Sequence, residues 1–209
     1  METIVGKTAF IDLSASTVKV VNTPKKLVRD LLGGRGANMA YLYRMLPEGA
    51  DPLGPENVLI FGTGLLTGYP VPNSGRMSIS AKSPESGILG DSNMGGFFPA
   101  AMKKSGFDRL VITGRAHGPV YLFLSNGSVE IRDARSYWGL NVPDVQKAIE
   151  QDLGKEVRSA VIGPAGENLV RFATVMNAKK NAAGRCGMGA VMGSKGLKAI
   201  VVDDKGTDR

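Results

Sequence analysis

Between Asn181 and Val202 the chain places Gly184, Gly187, Gly189, Gly193 and Gly196 around Arg185 and ahead of an apolar run at 199–202. Residues of these types at this spacing suit a bound anion. Glycine lets the backbone approach a ligand closely and take up positive φ, amides at a helix start donate from a partly positive end, and a guanidinium adds a forked cation. The ligand is not a nucleotide of the usual kinds. No GxGxxG follows a strand, and no GxxxxGK[ST] occurs in the chain. A different anionic ligand is indicated.

A second stretch has the same build. Gly90-Asp91-Ser92-Asn93-Met94-Gly95-Gly96 leads into an apolar, lysine-bearing segment of helical character at 97–105, then into a strand-like run at 107–113. Met94-Gly95-Gly96 answers to Met188-Gly189-Ala190, the strand and turn at 58–64 to 160–166, and Arg76-Met77-Ser78-Ile79-Ser80 to Arg171-Phe172-Ala173-Thr174-Val175. The order strand, turn, arginine-led strand, glycine loop, helix, strand thus runs over roughly 57–114 and again over 159–203, the pattern of an internal duplication. Two copies about an approximate twofold axis predict two anion cradles facing one centre, and hence a ligand with two equivalent halves. Either loop taken alone also reads as punctuation between strands; the matching flanks favour duplication.

The elements that must position these loops are mostly strands. Runs at 8–13 and 17–21 predict a hairpin across Ser14-Ala15-Ser16. Pro24 opens a helix that ends at Leu32, and after Gly33-Gly34-Arg35-Gly36 the spacing of Met39, Leu42, Tyr43 and Leu46 predicts a second over 37–46. A further hairpin pairs 120–124 with 128–132 around Asn126-Gly127, a dipeptide suited to a tight turn. Val145, Ala148 and Ile149 mark an amphipathic helix over 143–153. The fold class expected is α+β, with mixed or antiparallel sheets, short helices and two similar halves in one domain over 1–209. Regular βαβ alternation is absent, which argues against a doubly wound sheet.

Several separated motifs carry a family resemblance. They are Leu32-Gly33-Gly34-Arg35-Gly36, Asp51-Pro52-Leu53-Gly54-Pro55-Glu56-Asn57, Gly64-Leu65-Leu66-Thr67-Gly68, Gly75-Arg76, Lys82-Ser83-Pro84, Asn93-Met94-Gly95-Gly96, Ile162-Gly163-Pro164-Ala165-Gly166-Glu167-Asn168, and Ala183-Gly184-Arg185 through Ala199-Ile200. By their order and spacing the chain resembles, along almost its whole length, the N-terminal domain of the aldehyde ferredoxin oxidoreductase family of tungsten-pterin enzymes. The resemblance implies tungsten held by the dithiolenes of two pterins whose phosphates share a magnesium ion, with molybdenum as the alternative metal. It implies that Arg76 reaches the pterin, between it and an iron-sulfur cluster. Asn93 and Ala182 would offer main-chain carbonyls to Mg2+, which favours hard oxygen donors. Gly95, Ala183, Gly184 and Arg185 would contact pterin or phosphate, the arginine through charge-assisted hydrogen bonds.

Two positions depart from the family pattern. Asn181, within the cofactor-contacting stretch, stands where an arginine is common, so a cation near the cofactor is missing or supplied differently. Cys186 stands where glycine is usual, and reads as a small buried side chain, a redox-sensitive thiol or a metal ligand. A 4Fe-4S cluster needs four thiolates or close substitutes, and Cys186 is the only cysteine. The cluster and the acid/base residues are therefore expected in further domains or a partner chain, which this chain does not contain. The polar tail at 203–209 suits a domain boundary. The function implied is the tungstopterin-binding portion of an aldehyde:ferredoxin-type oxidoreductase, not catalytically complete alone. The alternative is a noncatalytic pterin-binding or assembly module, or an inactive fragment.

Composition bounds the remaining possibilities. With 209 residues and 43% hydrophobic content the chain can bury a sizeable core. No apolar run approaches a membrane span and the start lacks a signal peptide's layout, so a cytoplasmic location is expected. The net charge of +7 is scattered in pairs such as Lys25-Lys26, Lys103-Lys104 and Lys179-Lys180, without interleaved aromatics, which argues against nucleic acid. It suits attraction of pterin phosphates or docking of an acidic, ferredoxin-like electron acceptor; homo-oligomer formation is left open. Lys103 and Lys104 read as a solvated helix face, His117 as a surface turn residue and Trp138 as a packing anchor. Glu167 and Asn168 would bond the second cradle or stabilise their turn. No Ser/His/Asp arrangement supports hydrolysis.

Overall fold

Each half of the chain opens with a hairpin and closes with a buried strand laid parallel to that hairpin's first strand. The computed structural model describes residues 5–178 and 180–204. Positions 1–4, Lys179 of the third basic pair, and the tail from 205 onward lie outside them. The first half runs β1 (Lys7–Asp12), β2 (Thr17–Asn22), α1 (Lys25–Leu31), α2 (Gly34–Met45), β3 (Leu59–Thr63), β4 (Met77–Lys82), β5 (Leu89–Met94), α3 (Phe97–Lys104) and β6 (Phe107–Thr113). The second runs β7 (Val120–Ser125), β8 (Ser128–Asp133), α4 (Val142–Leu153), β9 (Val157–Val161), α5 (Pro164–Glu167), β10 (Val175–Asn177), β11 (Asn181–Ala183), α6 (Met188–Ser194) and β12 (Leu197–Asp203).

The two mixed sheets, β2-β1-β6-β3-β4-β5 and β8-β7-β12-β9-β10-β11, match strand for strand. Their irregularities match as well. Between β1 and β6 the register jumps at Asp108, and between β7 and β12 it jumps at Lys198, so each closing strand carries one bulged residue at the same place. The duplication is therefore present, but its expected limits of 57–114 and 159–203 are too short: it takes in both hairpins and runs over 7–113 and 120–203.

Register also corrects the residue matching. Met77 pairs with Met94 as Val175 pairs with Ala183, so the counterpart of Arg76 is Thr174. Arg171 lies in a turn ahead of β10, closed by Ala173 N donating to Val170 O at 2.7 Å. Met94-Gly95-Gly96 corresponds to Ala183 and the loop at 184–187, whereas Met188 is already inside α6.

The inner faces of the sheets bury Ile11, Phe61, Ile79 and Ile112 on one side and Leu122, Val175, Ile200 and Val202 on the other, with Phe98 and Met102 of α3 and Val191 and Met192 of α6 in the same cluster. The alternate residues face outward. Ile60 and Val111 meet Leu42 of α2, while Val161, Ala199 and Val201 meet Val145 and Ile149 of α4. α4 starts where Asn141 caps it, its Oδ1 accepting from Asp144 N at 3.0 Å. α2 starts earlier than the expected 37, at Gly34, because Gly33 takes φ +80° and bridges Gly64, turning the chain directly into the helix. The stretches at 90–94 and 181–183, expected as glycine loops, are edge strands: pairing to β4 and β10 overrides the poor strand propensity of Gly90, Asp91 and Asn93. Among the described residues no helix is long and apolar enough to cross a membrane.

Candidate functional site

The edge strands β5 and β11 lie against one another, and hydrogen bonds cross the seam between them. Asn177 Nδ2 donates to Gly95 O at 2.8 Å, and Arg185 N donates to Ser92 Oγ at 3.2 Å. The fit over Gly96 is tight: a Cβ there would lie 2.5 Å from Asn181 Nδ2 and 2.6 Å from Asn177 Nδ2. The seam therefore brings together the two groups expected from sequence, Arg76, Asn93 and Gly95 from one half and 181–185 from the other. Arg76, Asn93, Ala182, Gly184 and Arg185 are exposed, Gly95 and Asn181 half-buried, and Ala183 buried.

On the first side Arg76 Nη1 donates to Asn93 Oδ1 at 2.7 Å. Its backbone is fixed from the loop after β3, where Thr67 Oγ1 donates to Arg76 O and accepts from Gly64 N, both at 2.9 Å. A Cβ on Gly95 would come into ordinary contact with Arg76 Nε, at 3.9 Å. The exposed carbonyl and amide edge together with guanidinium groups is a donor set for oxyanions and for a hard cation.

On the second side the start of α6 does not serve as the expected amide cradle. It is buried, Gly189 N donates to Ala173 O at 2.9 Å, and a Cβ on Gly187 would meet Arg171 O at 1.9 Å. These glycines, with Gly193 against Gly166 O, permit close packing of α6 rather than ligand approach. The exposed part of the loop is Gly184 and Arg185. Cys186 takes φ +62°, a conformation that favours glycine, and packs half-buried beside Gly90, its Sγ 3.9 Å from Asp91 O. Among the described residues no three His, Cys, Asp or Glu side chains come together as a metal site.

Several sequence candidates fall elsewhere. Glu167 forms a buried ion pair with Lys198 and accepts from Gly139 N at 3.0 Å, tying its turn to β12 and to the loop ahead of α4, while Asn168 Nδ2 bonds Pro164 O at 2.9 Å and holds its own turn. Burial lowers the Lys198 pKa, opposed by Glu167. Lys103 is not solvated as expected: it is buried in an ion pair with Asp108, the bulged residue of β6. His117 is exposed in its turn and Trp138 half-buried.

Sequence reading missed a buried polar chain behind β5. Arg109 Nε donates to Asn38 Oδ1 at 2.8 Å, Asn38 Nδ2 to Ser80 Oγ at 3.0 Å, and Ser80 Oγ to Asp91 Oδ1 at 2.8 Å. Arg35 Nε then bonds Asp91 Oδ2 at 2.7 Å at the surface. Arg109 is 1% exposed, lies over the Tyr41 ring at 5.5 Å, and has its pKa lowered by burial. The glycines flanking Arg35 were the only signal for this chain, because its members lie on four elements far apart in sequence.

Comparison with known proteins follows the same line. The family model for the aldehyde ferredoxin oxidoreductase N-terminal domain matches residues 8–204. The chain is 46% identical over 198 residues to the tungsten-containing aldehyde ferredoxin oxidoreductase of Pyrococcus abyssi, covering 94% of this chain and 33% of that protein. It is 39% identical over 217 residues to the aliphatic sulfonate oxidoreductase, WOR-like subunit, of Pyrococcus furiosus, covering 96% and 34%. Among solved structures, the active site complex BamBC of benzoyl coenzyme A reductase superposes with a TM-score of 0.92 at 37% identity, over 95% of this chain and 30% of that one. The chain thus spans about a third of the length of these relatives.

Proposed function

The chain belongs to the aldehyde ferredoxin oxidoreductase N-terminal-domain family, and from that premise we propose that it is the tungstopterin-binding portion of an aldehyde:ferredoxin-type oxidoreductase. The observation that carries this reading is the seam between β5 and β11, where equivalent ends of two duplicated sheets meet with exposed guanidinium groups and main-chain oxygens. A ligand of two equivalent phosphorylated halves fits such a seam better than a single anion does.

In this reading Arg76 holds the pterin, while Gly95, Asn181, Ala182, Ala183, Gly184 and Arg185 line the cofactor, Arg185 by charge on a phosphate. Asn93 and Ala182 would offer main-chain carbonyls to Mg2+. The group held would carry tungsten or molybdenum. When bound, the cofactor would supply the two-electron chemistry that oxidises an aldehyde with water to a carboxylic acid, with a 4Fe-4S cluster and a ferredoxin-like protein as electron acceptors. With one cysteine, the chain relies on a cysteine-containing domain or partner subunit for that cluster. Its own residues bind, orient and neutralise charge. A cytoplasmic setting, where low potential keeps such a cofactor reduced, completes the reading.

The test is anoxic purification from the native source, with analysis of tungsten, molybdenum, magnesium and iron and identification of co-purifying proteins. About one tungsten or molybdenum per complex, with iron and a cysteine-rich partner, is expected. A chain that carries pterin without such a partner would instead be a binding or assembly module, and a chain free of metal and pterin would refute cofactor binding.

A further inference from the structure

Three consecutive residues of β5 each tether an arginine. Asp91 Oδ2 accepts from Arg35 Nε at 2.7 Å, Ser92 Oγ accepts from Arg185 N at 3.2 Å, and Asn93 Oδ1 accepts from Arg76 Nη1 at 2.7 Å. Arg76 and Arg185 are exposed, and the Arg35 side chain is 64% exposed. Asp91 and Asn93 point to the same face of the strand, about 7 Å apart at the rise of an extended chain. Guanidinium groups anchored at that spacing can reach one pyrophosphate between them.

We infer that Arg35 is a further binding residue of this cradle, taking a phosphate oxygen of the ligand through its Nη1 and Nη2. That the ligand is a phosphorylated pterin rests on the reading above; the site itself does not. A surface ion pair on its own contributes little, yet here the carboxylate partner is fixed from behind. Asp91 is only 10% exposed and accepts from Ser80, which accepts from Asn38, which accepts from the buried Arg109. The chain of bonds orients Arg35 by its Nε, and the rest of the side chain stays largely exposed. Arg35 alone pairs with the carboxylate of Asp91, while Arg76 is bonded to the neutral Asn93, so the edge of β5 keeps a net positive charge for an anion. The Leu32-Gly33-Gly34-Arg35-Gly36 stretch thereby acquires a role beside that of Arg76.

The test is titration of the full 209-residue chain with inorganic pyrophosphate, following affinity by calorimetry and the arginine Nε–Hε signals by NMR. Arg35→Gln is expected to weaken binding about ten-fold or more, Arg35→Lys less so, since it keeps the charge and loses the fork, and Arg132→Gln on β8 not at all. In the unsubstituted chain the Arg35 Nε–Hε signal moves on saturation. If Arg35→Gln does not fold, that signal decides alone: movement supports the site and a fixed position overturns it. Wild-type affinity in Arg35→Gln, or no pyrophosphate binding by the unsubstituted chain, also overturns it. The cofactor reading fails separately: Arg35-dependent pyrophosphate binding by a chain that never acquires pterin supports this site and refutes pterin binding, whereas equal pterin content and equal pyrophosphate affinity in both chains refute only the role of Arg35.

Discussion

Asn93 and Ala182 occupy the same place in the two sheets: each is the next-to-last residue of its edge strand, Asn93 opposite Ser78 and Ala182 opposite Met176. The proposed magnesium ligands thus hold equivalent positions in the two sheets. The side chains around them are not symmetric, because Thr174 stands where the first half has Arg76. Arg76→Ala should therefore lower the pterin retained by the anoxically purified chain about ten-fold, the scale of one charge-assisted contact. Thr174→Ala should leave it unchanged. Equal retention in both variants would remove Arg76 from the site.

Gly62 makes room for the polar chain behind β5. A Cβ at this position would lie 2.1 Å from Oδ1 of the fully buried Asn38. That oxygen is the acceptor for Arg109, and the same side chain donates to Ser78 O and Ser80 Oγ. Gly62→Ala should cost roughly 2–4 kcal/mol, from overpacking and from the hydrogen bonds that are displaced with Asn38. The check is a lowered urea midpoint with an unchanged denaturant slope. Adding Asn38→Ala relieves the clash but leaves Arg109 Nε buried without its acceptor, so the double variant should not regain wild-type stability.

What was legible in the sequence is what local chemistry decides. Asn126 and Gly127 adopt φ of 48° and 74°, as a tight hairpin turn demands, and Asn141 caps α4 one residue ahead of Val142. The duplication was legible because a glycine with positive φ stands at the bend before each buried helix, Gly96 ahead of α3 and Gly187 ahead of α6. Ladder pairing was not. Nothing in Gly90-Asp91-Ser92-Asn93 favours a strand, and only the rung of Met77 with Met94 against that of Val175 with Ala183 shows that Thr174, not Arg171, answers Arg76. Arg35 and Asp91 are separated by α2, β3 and β4 along the chain, and their contact depends on the way α2 lies across the sheet.

Asn177 connects the halves at the site. It is 2% exposed, and its amide donates across the seam to Gly95 O at 2.8 Å. Asn177→Leu keeps the approximate shape and removes the donor, leaving that carbonyl short of a partner at a cost of about 1–3 kcal/mol. The loss should be local. Hydrogen exchange at Gly95 and Gly96 should quicken, and pterin retention should fall, while the β7–β8 hairpin keeps its protection. Uniformly faster exchange through both sheets would instead identify Asn177 as a general support of the fold.

Lys195 sets a dependence of stability on pH. Its side chain is fully buried at the end of α6, where Nζ donates to Pro55 O at 3.3 Å and Gly114 O at 3.2 Å. Burial, then the nearby Arg115 charge, pulls its pKa from 10.5 down to about 8, against the opposing pull of Glu56 and Asp12. Below pH 8 the group is protonated in both states, and the folded chain bears the full cost of burying the charge. Between pH 8 and 10.5 the unfolded chain binds more protons, so this group makes stability rise with pH, by roughly 3 kcal/mol across the window. Lys195→Met removes that rise while taking the Nζ donor from Gly114 O; Pro55 O keeps Gly114 N as a donor. The measurement is urea unfolding of both chains at pH 7 and pH 10, taking the difference between them so that other titrating groups cancel. The wild-type chain should gain stability relative to the variant on going to the higher pH; no relative gain would mean that Lys195 keeps an ordinary lysine pKa in the folded chain.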